Sequence, residues 1–177
     1  LNGISIKKWI FLALASPSLV WGDAGQKWCT QPVLLGEKTM VLGQTSIEQI
    51  DQLYGFSERF RVSESSFPST CYQHGEVFLT FSFRDWGKEQ ALAGISISAL
   101  PPYDGRACPR VSGQTPITLN GNLIGQAHPE TPGAMIQRSQ KIRLLAQKGA
   151  FECHFFENTV YFKNALIRIA VSITENN

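Results

Sequence analysis

The side chains in this sequence whose types could do chemistry are four cysteines and three histidines. Cys71-x-x-His74 and the adjacent Cys153-His154 place a thiol close to an imidazole, the donor types that hold zinc. Neither pair is extended by a further ligand at a metal-binding spacing. His128 stands apart, and there is no HExxH and no CxxC. The competing chemistry is oxidation. Cys29, Cys71, Cys108 and Cys153 are even in number and widely spaced, which suits disulfides in an exported chain. No GxSxG and no glycine-rich phosphate loop occurs. A Ser, a His and an Asp can be picked from any chain of this length, so no triad is assigned. The expectation is a protein that is not an enzyme, with no metal and no cofactor.

The start of the chain sets the compartment. Lys7 and Lys8 form a positive segment, and Trp9 to Val20 is an apolar run with the length of a signal-peptide core. Small residues follow, and cleavage is expected near Gly22 or Ala24. Residues 1–24 are therefore read as a signal peptide, and the mature protein as periplasmic or secreted. A second apolar stretch long enough for a membrane span is not found. The 177 residues are 43% hydrophobic and 17% charged, which excludes global disorder. The net charge is +2, from 16 basic and 14 acidic residues. Removing Lys7 and Lys8 leaves 14 against 14, so a nucleic-acid binder relying on a basic surface is not expected.

Self-comparison shows what must position the cysteines. Leu42-Gly43-Gln44 recurs as Ile124-Gly125-Gln126, Phe60-Arg61-Val62 as Ile142-Arg143-Leu144, and Cys71-Tyr72 as Cys153-His154, all at an offset of 82. This suggests a duplication, with residues 25–105 and 106–177 as the two units. In the first unit Thr45 is placed to cap a helix, with Glu48 completing a capping box. Ile47, Ile50, Leu53 and Tyr54 share one face, and Gly55 closes it. In the second unit Thr131 is the cap, Pro132 the first helical residue, and Met135 and Ile136 the apolar side. The repeat predicts a strand near Lys141 to Leu144. Val77 to Phe83, Leu92 to Leu100, Val160 to Lys163 and Leu166 to Ile173 alternate as strands with one polar face. Asp85 to Gln90 reads as a polar loop, and Pro101 to Gly105 as the end of the first unit. The expected fold is α+β: two tandem units, each a helix on an antiparallel sheet.

The run Leu42-Gly43-Gln44-Thr45-Ser46-Ile47-Glu48-Gln49-Ile50, with Leu53-Tyr54-Gly55, resembles the unit of the beta-lactamase-inhibitor-protein-like (BLIP-like) fold. It is also similar to the helix-then-sheet unit of the SmpA/OmlA outer-membrane lipoproteins. The tandem copy is closer to the inhibitor arrangement. The resemblance implies an exported protein that binds another protein and does no chemistry. An envelope-assembly scaffold is the alternative implied by SmpA/OmlA, although the chain has no lipid-anchoring cysteine. A small hydrolase with an unrecognised site is the third reading.

Two symmetric disulfide pairings follow from the repeat. One is Cys29–Cys71 with Cys108–Cys153; the other is Cys71–Cys108 with Cys29–Cys153. The second is preferred, because Cys108 sits on the segment leaving the last strand of the unit that holds Cys71. Binding is placed on the polar face of the sheet. Phe78 and Tyr161 stand nearly one repeat apart, and the alternation turns both away from the apolar side. Thr80, Lys163 and Arg168 share that side, giving aromatic and polar groups fit for a protein partner. The alternative is a second small core beneath a loop around Trp86. Arg59, Arg61, Lys141 and Arg143 recur in both units and read as the solvated side of edge strands.

Overall fold

The structure is a computed structural model that describes residues 29–61, 67–86, 89–102, 106–112, 116–125, 136–148, 150–163 and 165–176. A hairpin opens it, β1 (Gln31–Leu35) and β2 (Lys38–Leu42), followed by α1 (Ile47–Tyr54). A meander follows: β3 (Ser69–His74), β4 (Val77–Trp86) and β5 (Glu89–Ser98). Three two-residue strands come next: β6 (Arg110–Val111), β7 (Thr118–Leu119) and β8 (Asn122–Leu123). A second, longer meander ends the chain: β9 (Ile136–Lys148), β10 (Phe151–Phe162) and β11 (Ala165–Asn176).

These strands make two sheets, a four-stranded one in the order β2-β1-β7-β8 and a seven-stranded one in the order β6-β3-β4-β5-β11-β10-β9. The two meanders meet at an antiparallel β5–β11 seam, with Ser98 opposite Arg168 and Gly94 opposite Ser172. The two hairpins meet through β1 and β7, where Leu35 faces Leu119. Gly43 and Gly125 occupy matching places. Both are at positive φ, +84° and +88°. The Gly43 N–H donates to the Leu92 carbonyl on β5, and the Gly125 N–H to the Leu166 carbonyl on β11, both at 2.7 Å. Each glycine thus turns the chain out of its hairpin and onto the seam strand of its own half, in a backbone conformation that costs other residues energy.

One face of the large sheet is apolar and covered. Leu79, Phe81, Phe83, Ile95, Ile97, Ile169, Val171 and Ile173 are buried against Val33, Leu35, Met40 and Leu42 of the hairpin and Ile47 and Ile50 of α1. Burying each large side chain contributes about 1.5–3 kcal/mol. The core thins outward. On β9, Arg138, Gln140 and Arg143 face this side and are exposed.

Helix α1 starts one residue later than expected. Ser46 is the cap, accepting from the Gln49 N–H at 3.4 Å, while the Gln49 side chain accepts from the Ser46 N–H at 2.8 Å. Thr45 is occupied elsewhere. Its hydroxyl accepts from the Val41 N–H at 2.9 Å, and its carbonyl accepts from the Leu92 N–H at 2.8 Å. The helix ends at Gly55, whose N–H reaches the Asp51 carbonyl. Beyond it Arg59 clasps Asp51 through both nitrogens, at 3.2 and 2.5 Å. The buried Tyr72 hydroxyl lies 3.2 Å from Asp51 and 2.7 Å from the Gly55 carbonyl. This cluster pins the helix to β3.

The expectation of an α+β fold with two helix-bearing units is overturned. The described residues hold eleven strands and a single eight-residue helix, so the architecture is mostly β. The alternating aromatic and β-branched runs extend well past the boundaries read from sequence. The Asp85–Gln90 segment, expected as a loop, belongs largely to β4 and β5, with Asp85 paired to Gln90. Ile136, expected on a helix, opens β9. Cap residues Thr131 and Pro132 lie outside the described residues, as do residues 1–24, read as a signal peptide. The hairpin β7–β8 was not expected, yet Asn120-Gly121 between Leu119 and Asn122 is a two-residue turn signal, and both turn residues have positive φ.

Candidate functional site

Strand register builds the outer face of the large sheet row by row, because residues opposite one another point to the same side. One row runs Gln73, Phe78, Ser98, Arg168, Val160 and Gln137 across β3, β4, β5, β11, β10 and β9. The next runs Cys71, Thr80, Ser96, Ala170, Asn158 and Ser139. The third runs Ser69, Ser82, Gly94, Ser172, Phe156 and Lys141. At a strand spacing of about 4.8 Å each row spans about 24 Å. The middle of the face is small and polar, and its aromatic and charged groups flank that middle.

The small middle has a packing cause. A Cβ on Gly94 would lie 3.1 Å from the Val171 carbonyl oxygen and 3.3 Å from the Ser172 Cβ. At Gly94 the seam therefore leaves no space for a side chain without a shift of its neighbours. To one side, the Ser69 and Ser82 hydroxyls meet at 3.0 Å. To the other, His154 is buried beneath Lys141 and Glu152. Its Nε2 lies 3.0 Å from the Lys141 Nζ and 2.8 Å from the Glu152 carboxylate, and its Nδ1 has no hydrogen-bond partner among the described residues.

The five residues assigned to binding from sequence divide. Phe78 and Arg168 both stand opposite Ser98, and Thr80 lies in the neighbouring row. Phe78 and Thr80 are half-buried and Arg168 is exposed. Lys163 sits at the β10–β11 turn at the same end, with φ +48° and its ammonium 5.4 Å from the Phe162 ring centroid. Tyr161 is the correction. It pairs with the buried Leu166 and packs against the apolar core, away from Phe78. The reason is strand alternation: along β10 Tyr161 falls on the same side as the buried Cys153 and Phe155, and a bulge that inserts one residue into β11 opposite Val160 and Tyr161 turns Leu166 inward to meet it. Val160 takes the outward place. Ser98, Ser96 and Ser172 were missed; their only signal was the polar half of the seam alternation.

The cysteines are paired as Cys71–Cys108 and Cys29–Cys153, with Cα separations of 5.3 and 5.7 Å. Both sulfurs that stood next to a histidine are consumed, which removes them as zinc ligands. His74 also lies on the opposite face of β3 from Cys71, since three steps along a strand reverse the side. Cys71 and Cys153 are not equivalent in the sheet. Cys71 is on β3, two strands out from the seam and facing outward. Cys153 is on β10, one strand out and on the core face.

No family model matches the chain, and no curated protein or solved structure is similar to it. Function must be argued from the face itself. No helix among the described residues is long and apolar enough to cross a membrane.

Proposed function

We propose that this chain is an exported, non-catalytic binding module that recognises another protein on the outer face of its seven-stranded sheet. The observation that carries the reading is the row Phe78–Ser98–Arg168, an aromatic ring and a guanidinium flanking a small polar centre on consecutive strands. Aromatic and arginine side chains dominate binding energy at protein interfaces, and a rigid sheet holds them without an ordering cost at the moment of binding. The two disulfides are compatible with export. Inhibition of a partner enzyme is one form such binding would take.

The test is a pull-down from periplasmic extract with the disulfides intact, set against a bait carrying Phe78→Ala and Arg168→Ala. Interface anchors of this kind cost about 2 kcal/mol or more on truncation, so a stoichiometric partner should be lost from the double variant. A partner retained by that variant would remove the site from this face. Co-purification with outer-membrane components, unaffected by the substitutions, would favour the envelope-scaffold reading instead.

A further inference from the structure

The two edges of the seven-stranded sheet are treated differently. At one edge, β3 is covered at one end by the bridge from Phe60 to Ser69 and at the other by β6. At the other edge lies β9, whose 13 residues pair with β10 alone among the described strands. Side chains from Gln137 to Leu144 are all exposed. Alternate residues of such a strand turn their N–H and C=O groups outward, a template for one more strand.

The sequence of this edge restricts what can add to it. Ile136–Lys148 carries Arg138, Lys141, Arg143 and Lys148 and no acidic residue. Antiparallel pairing with a second copy would lay cation-bearing strand against cation-bearing strand, which is destabilising. Bulges disturb the β9 register near Ile142 and Leu145, but Ile136 to Lys141 pairs with β10 without interruption, from Tyr161 to Phe156. Proline, the usual block on an edge, is absent from β9. The edge thus disfavours its own kind and, among the described residues, leaves its first six residues open to a strand of opposite charge.

We propose that β9 accepts an acidic, extended segment of a partner polypeptide as an eighth strand, held by backbone hydrogen bonds along Ile136–Lys141 and by Arg138 and Lys141. The β9 edge borders the polar face, whose third row ends on Lys141, but the inference rests on the β9 backbone and not on Phe78 or Arg168, and it stands if the face reading fails.

The test uses the disulfide-bonded chain and a labelled peptide of about ten residues, the length of a long strand, with glutamate alternating with valine and threonine. The expected result is saturable binding at concentrations up to about 1 mM, a weak but specific affinity. Addition of the peptide should slow amide hydrogen exchange in Ile136–Lys141. Lys141→Glu should weaken binding by about tenfold, equivalent to one favourable ion pair in a partly shielded setting. The same peptide N-methylated at alternate residues should not bind, and this arm needs no change in the protein. Absence of binding would overturn the proposal. So would binding that survives N-methylation, which would be charge attraction alone, or protection of amides elsewhere. A concentration-dependent dimer protecting the same β9 amides would also overturn it, by assigning the edge to a second copy.

Discussion

At the residue scale the packing beneath α1 has a measurable consequence. Tyr54 rests against Tyr72 and Phe81, with ring centroids 5.3 and 5.4 Å away. Burial pushes the Tyr54 hydroxyl up from its ordinary 10.0 to about 12, and Tyr72 beside it adds to the effect. Tyr72 is raised as well, first by burial, with the nearby Asp51 carboxylate contributing. A raised phenol favours the folded state while it is neutral. That stability is complete below the unfolded-state value and is lost as pH rises through the folded one. Stability should therefore fall between pH 10.0 and about 12. Urea unfolding across that window would check it, with Tyr54→Phe flattening the decline. An equal slope in the variant would remove Tyr54 as its source. At the other end of the helix the Ser46 hydroxyl, and then the Glu48 N–H itself, hold the Glu48 carboxyl below its usual range. Anionic charge there suits the helix N-terminus.

At the scale of elements, the β5–β11 seam is the joint on which the face depends. It aligns Phe78 with Arg168 and keeps the centre small. Gly94→Ala tests this. The new methyl would press on the Val171 carbonyl oxygen, a backbone atom held in the ladder, and on Ser172. Overpacking of this kind costs about 1–3 kcal/mol. Chemical denaturation should register that loss, and a partner bound at the face should be released in parallel. Unchanged stability would mean that the seam opens without penalty. The helix offers a separate check, since Ser46→Ala removes the acceptor for the Gln49 N–H. Loss of such a cap costs about 1 kcal/mol.

At the scale of the whole molecule, the disulfides tie distant parts of the chain. Cys29–Cys153 closes a separation of 124 residues and joins the segment before β1 to β10. Cys71–Cys108 closes 37 and joins β3 to the segment before β6. In the chain-entropy account both contribute about 4–5 kcal/mol, and the longer loop contributes about 1 kcal/mol more. Replacing Cys29 and Cys153 by serine should therefore lower stability further than replacing Cys71 and Cys108. Denaturant midpoints of the two double variants would decide, and the reverse order would show that local contacts outweigh loop length.

Much of this molecule is determined by its sequence alone, wherever the cause is local. Val77 to Phe83 and Leu166 to Ile173 alternate apolar and polar residues, and a strand with one buried face follows from that period. Helix α1 follows from its cap signals and its apolar spacing, displaced by one residue because Thr45 hydrogen-bonds into the β2 turn. The disulfide pairing preferred from the repeat is the one formed. What needed the tertiary structure was every property that depends on register between distant strands. The alternation of β10 places Tyr161 on the core side, the bulge in β11 turns Leu166 inward to meet it, and register brings Phe78 and Arg168 to either side of Ser98. The β5–β11 pairing joins both halves into one sheet, so the two-unit α+β architecture gives way to a mostly β one. The place of β9 as the cationic outer strand among the described residues is likewise invisible along the chain, because an edge is defined by which strands lie beside it.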